Sequence, residues 1–130
     1  MVSSFYGALS ALLVVWLTVQ VVRLRRAKKV RLGDGGDPEL RVAIRAHGNA
    51  LEYIPLSLVL LGLAELSGAH PALLHACGGA LVGGRVLHAR GLLRETLRLR
   101  VWGMQLTACS LIALALVNLG VALMHGLKSW

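Results

Sequence analysis

The chain predicts an all-α membrane protein, a bundle of four transmembrane helices, on three observations. Of its 130 residues, 56% are hydrophobic, more than a soluble domain of that size needs. The apolar residues gather into four runs, each of about twenty residues or more, the length that crosses about 30 Å of hydrocarbon as a helix. The positive charges flank those runs instead of mixing with them. The net charge of +8 does not point to nucleic acid, because no aromatic residues are interleaved with the basic ones.

The first span covers residues 2–22. No Lys or Arg precedes Arg23. A secretory signal puts positive charge ahead of its apolar core, whereas here the charge follows, so the run reads as a retained span. The loop Leu32-Gly-Asp-Gly-Gly-Asp-Pro38 turns the chain. The second span, 38–66, starts with Asp37 as N-cap and Pro38 in the first turn. Pro55 inside it removes a helix hydrogen bond and predicts a kink one turn beyond Glu52. Gly68 supplies a stop and Pro71 a start for the third span, 71–93. The fourth covers 99–123. No repeat interrupts the pattern, so residues 1–130 read as one transmembrane domain. Cys77 and Cys109 lie in apolar runs without CxxC or His-rich spacing, which argues for small buried residues and against a metal or redox site.

Thirteen of the fourteen Lys and Arg residues fall at the first and third turnarounds. The second turnaround, Glu65 to Pro71, has none, and Lys128 stands alone near the far end. The positive-inside rule makes the basic face cytoplasmic and puts both termini outside. His70, His75 and His125 then lie toward the outer side.

Function is expected where charge enters the oil. Arg41, Arg45, Asn49 and Glu52 fall within an arc of about 80° on one face of the second span. Ionisable groups inside a membrane are costly and rarely stand without a partner or a ligand. Arg23 ends the first span, Arg85 and His88 share a face of the third, and Arg100 opens the fourth above Gly103 and Thr107. Together these make a mostly cationic pocket with one carboxylate and one amide. Guanidiniums clamp carboxylates, Glu52 takes an ammonium and Asn49 bonds an amide. Glutathione has that chemistry. A guanidinium near its thiol favours the thiolate, which is the nucleophile. Arg100 is the candidate for that role, with an apolar electrophile arriving from the lipid.

The simpler readings stand beside this one. Arg23 to Arg31 is a topology signal. Arg90, Arg94 and Arg98 contact lipid headgroups or water. Arg41 pairs with Glu39 or with a headgroup phosphate. Arg45 and Glu52 form an ion pair that fixes packing, and Asn49 is an interhelical donor. His88 is an interface histidine, Tyr53 an anchor or packing residue, and His47 faces another helix or the interface. The pairs Gly78-Gly79 and Gly83-Gly84 allow close helix packing. A proton-driven drug exporter would need an acid in the first span, and there is none.

The run Arg45-Ala-His-Gly-Asn49-Ala-Leu-Glu52-Tyr53-Ile-Pro55 resembles the signature helix of the MAPEG family, the membrane-associated proteins in eicosanoid and glutathione metabolism. Val22-Arg23-Leu-Arg25-Arg26, Gly84-Arg85-Val-Leu-His88 and Arg100-Val-Trp-Gly103-Met104 are similar to the family's helices one, three and four. Small bacterial inner-membrane members look most alike. The resemblance implies a homotrimer with glutathione between neighbouring subunits at the cytosolic side. It implies binding by Arg23, Arg45, Asn49, Glu52, Tyr53 and His88, and thiolate stabilisation by Arg100, with Arg98 as the alternative across a one-residue gap. It also implies a transferase or peroxidase acting on hydrophobic small molecules, or a non-catalytic lipid-binding or scaffold member. Two positions depart from the family: Arg90 and Leu92 stand where helix-three tyrosines contact glutathione, and Gly48 stands where some members carry an arginine.

Overall fold

The computed structural model describes Met1–Lys128, with side chains as far as Met124. The side chains of His125 and Lys128 therefore lie outside the described residues. Four helices follow one another: α1 (Val2–Lys28), α2 (Pro38–Leu66), α3 (Pro71–Leu93) and α4 (Leu97–Lys128). Among the described residues, α1, α2 and the stretch Leu97–Met124 are each long and apolar enough to cross a membrane. At 23 residues α3 has the length but not the apolarity, because Arg85, His88, Arg90 and five glycines dilute its Leu and Val. Two helices outrun the expected spans. α1 continues to Lys28 and α4 opens at Leu97, because Arg and Lys are good helix formers and extend a helix past the apolar run.

The helix ends follow the expected local chemistry. The Asp37 side chain accepts from the Leu40 amide at 2.9 Å, and Pro38 occupies the first turn. α2 closes on Gly68, whose φ of +79° suits glycine, and the Ala69 amide returns to the Ala64 carbonyl at 3.0 Å. His70 caps α3 through Nδ1, which accepts from the Ala72 amide at 3.2 Å. α3 closes the same way without a glycine: Glu95 takes φ +53° and the Thr96 amide returns to the Gly91 carbonyl at 2.8 Å. α2 remains helical through Pro55.

Short loops make sequence neighbours antiparallel. Leu13 and Leu17 of α1 pack on Ala46, Ala50 and Ile54 of α2. Nearer the other end Tyr6 joins Leu61, Ala64, Leu74, Cys77 and Leu114. The start of α1 is tied to the end of α2, where the Glu65 carboxylate accepts from the Val2 amide at 2.5 Å, the Ser3 amide at 2.9 Å and the Ser3 hydroxyl. These bonds satisfy donors that a helix start leaves open.

α3 and α4 approach most closely. A Cβ on Gly84 would lie 2.7 Å from Thr107 Oγ1 and 2.8 Å from the Gly103 carbonyl, and one on Gly91 would lie 2.6 Å from the Arg100 amide nitrogen. Gly78 makes room for the Tyr6 ring. Gly83 has nothing within 4 Å, so only the second member of that pair packs as expected. Cys77 is buried, but Cys109 is exposed on the outer face of α4, contrary to expectation. An apolar run makes a residue compatible with oil on either side of the helix, so burial within the bundle does not follow from it.

Candidate functional site

The close α3–α4 contact sets Arg85 in the middle of the bundle. It is only 2% exposed and is the largest of the fully buried side chains. Its Nε donates to Thr107 Oγ1 at 2.9 Å, and one terminal nitrogen donates to Asn49 Oδ1 at 2.6 Å. The other terminal nitrogen reaches Met104 Sδ at 3.9 Å. The guanidinium carbon stands 4.9 Å from the centre of the Tyr53 ring, a cation–π contact. The Thr107 hydroxyl donates a hydrogen bond to the Gly103 carbonyl at 2.9 Å. Asn49 in turn donates through Nδ2 to Glu52 at 3.3 Å. A polar chain therefore runs from α4 through Arg85 to α2, as Thr107, Arg85, Asn49, Glu52.

No carboxylate lies within 4.0 Å of Arg85 among the described residues. Neutral oxygens, a thioether and a ring face solvate this cation. The arrangement satisfies hydrogen bonds without cancelling charge, which leaves a positive field at the cavity beside it.

That cavity, about 440 Å³, is lined by Arg41, Val42, Arg45, Asn49, His88, Leu92, Arg100 and Met104. Its volume lies in the range of about 300–1,000 Å³ typical of small-molecule sites. The residues Arg45, Asn49, His88 and Arg100, expected to act together, are brought together here by α2, α3 and α4. Tyr53 stands behind them under Arg85. Arg98 is exposed and does not line the cavity, so of the two candidate arginines on α4 it is Arg100 that does. Arg23 is exposed on α1 and stays outside the lining. Glu52 reaches Asn49, but its residue is exposed on the outside of α2.

The purely structural alternatives fare unevenly. Arg45 and Glu52 form no ion pair within the described residues. Seven residues and about two helical turns separate them, and Glu52 instead meets Asn49. Arg41 pairs with Asp34 at 2.6 Å rather than with Glu39, which pairs with Lys28 at 3.0 Å. The tight loop brings Asp34 under Arg41 before Glu39 can compete. His47 faces α1, with Nε2 3.1 Å from Thr18 Oγ1. Outside the apolar spans, the Arg41 guanidinium, more than the Gly36 amide, holds the Asp34 carboxyl below its ordinary range.

Sequence reasoning undervalued Arg85. The sequence places it with His88 in the cationic pocket but gives it no binding role of its own. The signal that marks it is the glycine directly before it, Gly84, which lets α4 close over the guanidinium.

The fold and this site define an integral membrane protein that encloses a cationic cavity between its helices. The model of the MAPEG family matches residues 3–120, and the chain belongs to that family. It is also 46% identical over 119 residues to Inner membrane protein YecN of Escherichia coli strain K12, an alignment covering 92% of this chain and 91% of the relative. Inner membrane protein YecN of Escherichia coli O6:H1 matches to the same extent.

Proposed function

We propose that this protein binds glutathione and uses it as co-substrate, transferring the thiol to a hydrophobic electrophile or reducing a lipid peroxide. The observation that carries the reading is the cavity lined by Arg41, Arg45, Asn49, His88 and Arg100, backed by a buried guanidinium that no carboxylate neutralises. Such a field suits a ligand with two carboxylates. The Arg45, Arg41 and Arg100 guanidiniums hold them, Asn49 meets a peptide amide and Glu52 receives the ammonium. Arg100, a fixed charge, stabilises the thiolate and does not act as a base. Arg23 and Glu52 both point the site toward a neighbouring copy, because each is exposed in the single chain; a homotrimer brings Arg23 of one copy to the cavity of the next. Residues 1–130 then form one domain in an inner membrane, α3 also spans it, shielded by its neighbours, and the basic loops face the cytoplasm with both termini outside.

Calorimetry on the purified protein tests this. Wild type is expected to bind at millimolar glutathione or tighter, and Arg45→Ala and Glu52→Ala to weaken binding. No heat at millimolar glutathione would reject it. A second reading, a non-catalytic lipid-binding member, is favoured by one observation: Leu92, standing where the family presents a tyrosine, gives the cavity an apolar wall. Glutathione binding without turnover of any of several electrophiles would select it.

A further inference from the structure

The end of α1 carries a second cationic cavity, independent of the first. Lys29 takes φ +56° and ends the helix, and the Val30 amide returns to the Arg25 carbonyl at 3.0 Å. The chain therefore reverses at once and brings Val30 and Arg31 back beside the last turn of α1. The fold-back is held in two ways. Arg25 donates to the Gly33 carbonyl at 2.8 Å. Gly35, at φ +58°, lies so close over Val30 that a Cβ there would come within 2.7 Å of the valine side chain. The result is a concavity of about 540 Å³ lined by Val22, Arg25, Arg26, Lys29, Val30 and Arg31.

The acids of this turnaround are used up elsewhere. Asp34 pairs with Arg41 at 2.6 Å, and Asp37 and Glu39 both pair with Lys28, at 2.8 and 3.0 Å. Among the described residues, none of the four cations lining the cavity has a carboxylate within 4.0 Å. A topology signal needs positive charge near a span, but it does not need that charge to converge. Nor does it require the available carboxylates to be drawn to the other side of the loop. Four like charges around one hollow repel each other unless an anion fills it.

We propose that this cavity is a binding site for one anionic phospholipid of the surrounding membrane. The lipid phosphate sits among Arg25, Arg26, Lys29 and Arg31, where guanidiniums offer paired donors to phosphate oxygens. Val22, which closes the first apolar run, and Val30 both line the hollow, so its apolar walls meet the glycerol and the start of the acyl chains. The hollow lies where the apolar run gives way to charge, the depth of a headgroup. A soluble phosphate would leave those walls unused.

Native mass spectrometry of the purified full chain, titrated with phosphatidylglycerol or phosphatidylcholine in detergent, tests the site. Wild type is expected to retain phosphatidylglycerol in preference. The Arg26→Gln/Lys29→Gln/Arg31→Gln variant is expected to lose at least about tenfold in that affinity, and Arg94→Gln/Arg98→Gln at the other basic turnaround less than about twofold. Equal losses in the two variants would overturn the proposal, because diffuse attraction would then account for the binding. Displacement of the lipid by millimolar glycerol phosphate would overturn the lipid assignment. If the neutralised chain fails to insert, Arg26→Lys/Arg31→Lys keeps the charge, the topology and the Arg25–Gly33 bond and removes only the paired donors. It is expected to bind phosphatidylglycerol about threefold more weakly, and unchanged affinity would overturn the proposal.

Discussion

Arg85 and Asn49 form one contact, and removing either partner has an unequal result. Arg85 is 2% exposed, and its shortest bond is the 2.6 Å one to Asn49 Oδ1. Asn49→Ala leaves a buried cation with Thr107 Oγ1 as its nearest oxygen. A hydrogen bond to a charged group is worth about 1.5–3 kcal/mol, and the acceptor's loss in a water-poor site is not made good, so a cost of about 2–3 kcal/mol is expected. Arg85→Met removes the cation itself. Two charge-assisted bonds go, but so does the desolvation of a buried guanidinium, and a flexible chain of similar length refills the space. Thr107 keeps its bond to the Gly103 carbonyl, and Asn49 keeps Glu52. The net change should be within about 1 kcal/mol. Thermal unfolding in detergent, followed by tryptophan fluorescence, reads the difference: a fall of roughly 6–12 °C for Asn49→Ala against a few degrees for Arg85→Met. Glutathione affinity should fall in both, since the methionine variant loses the field at the cavity. If Arg85→Met unfolds at the same temperature as Asn49→Ala or lower, Arg85 is a structural rivet and the reasoning fails.

Three further outcomes follow from the packing. Gly84→Ala drives a methyl into Thr107 and the Gly103 carbonyl and should cost about 1–3 kcal/mol, read as a lower unfolding temperature, with weaker binding at the cavity. Glu65→Ala frees the Val2 and Ser3 amides, so hydrogen exchange should accelerate in the first turn of α1 and stay unchanged at the end of α4. Acid should loosen the first turnaround. The Asp34 and Asp37 carboxyls are held low, chiefly by Arg41 and Lys28 respectively, so their contribution is present above the unfolded carboxylate value and lost as pH falls through the lower folded one. Faster exchange or proteolysis in the loop should appear below about pH 4 and be weaker in high salt.

Much of this architecture is legible in one dimension. Asp37-Pro38 and Gly68 through Pro71 mark helix limits because capping depends on a few adjacent residues. The row Arg41, Arg45, Asn49 and Glu52 follows from helical periodicity alone, and three of its four members line the cavity, Glu52 being the exception. What fails to show is anything that depends on which helix faces which. Cys109 and Gly83 sit in runs indistinguishable from those of Cys77 and Gly84, yet only the latter two meet a neighbour. Arg85 belongs to the same class: its partners come from α2 and α4, 36 and 22 residues away in sequence.

Pro55 has a consequence beyond the course of its own helix. With no N–H at residue 55, the Leu51 carbonyl lacks the donor that a regular helix would supply one turn later. Leu51, Glu52 and Pro55 are all exposed on the single chain. That stretch of α2 thus presents an orphan acceptor beside a carboxylate, a combination that bare hydrocarbon penalises twice. Acyl chains make a poor neighbour for it, and whatever covers this strip in the membrane must arrive carrying protons to share.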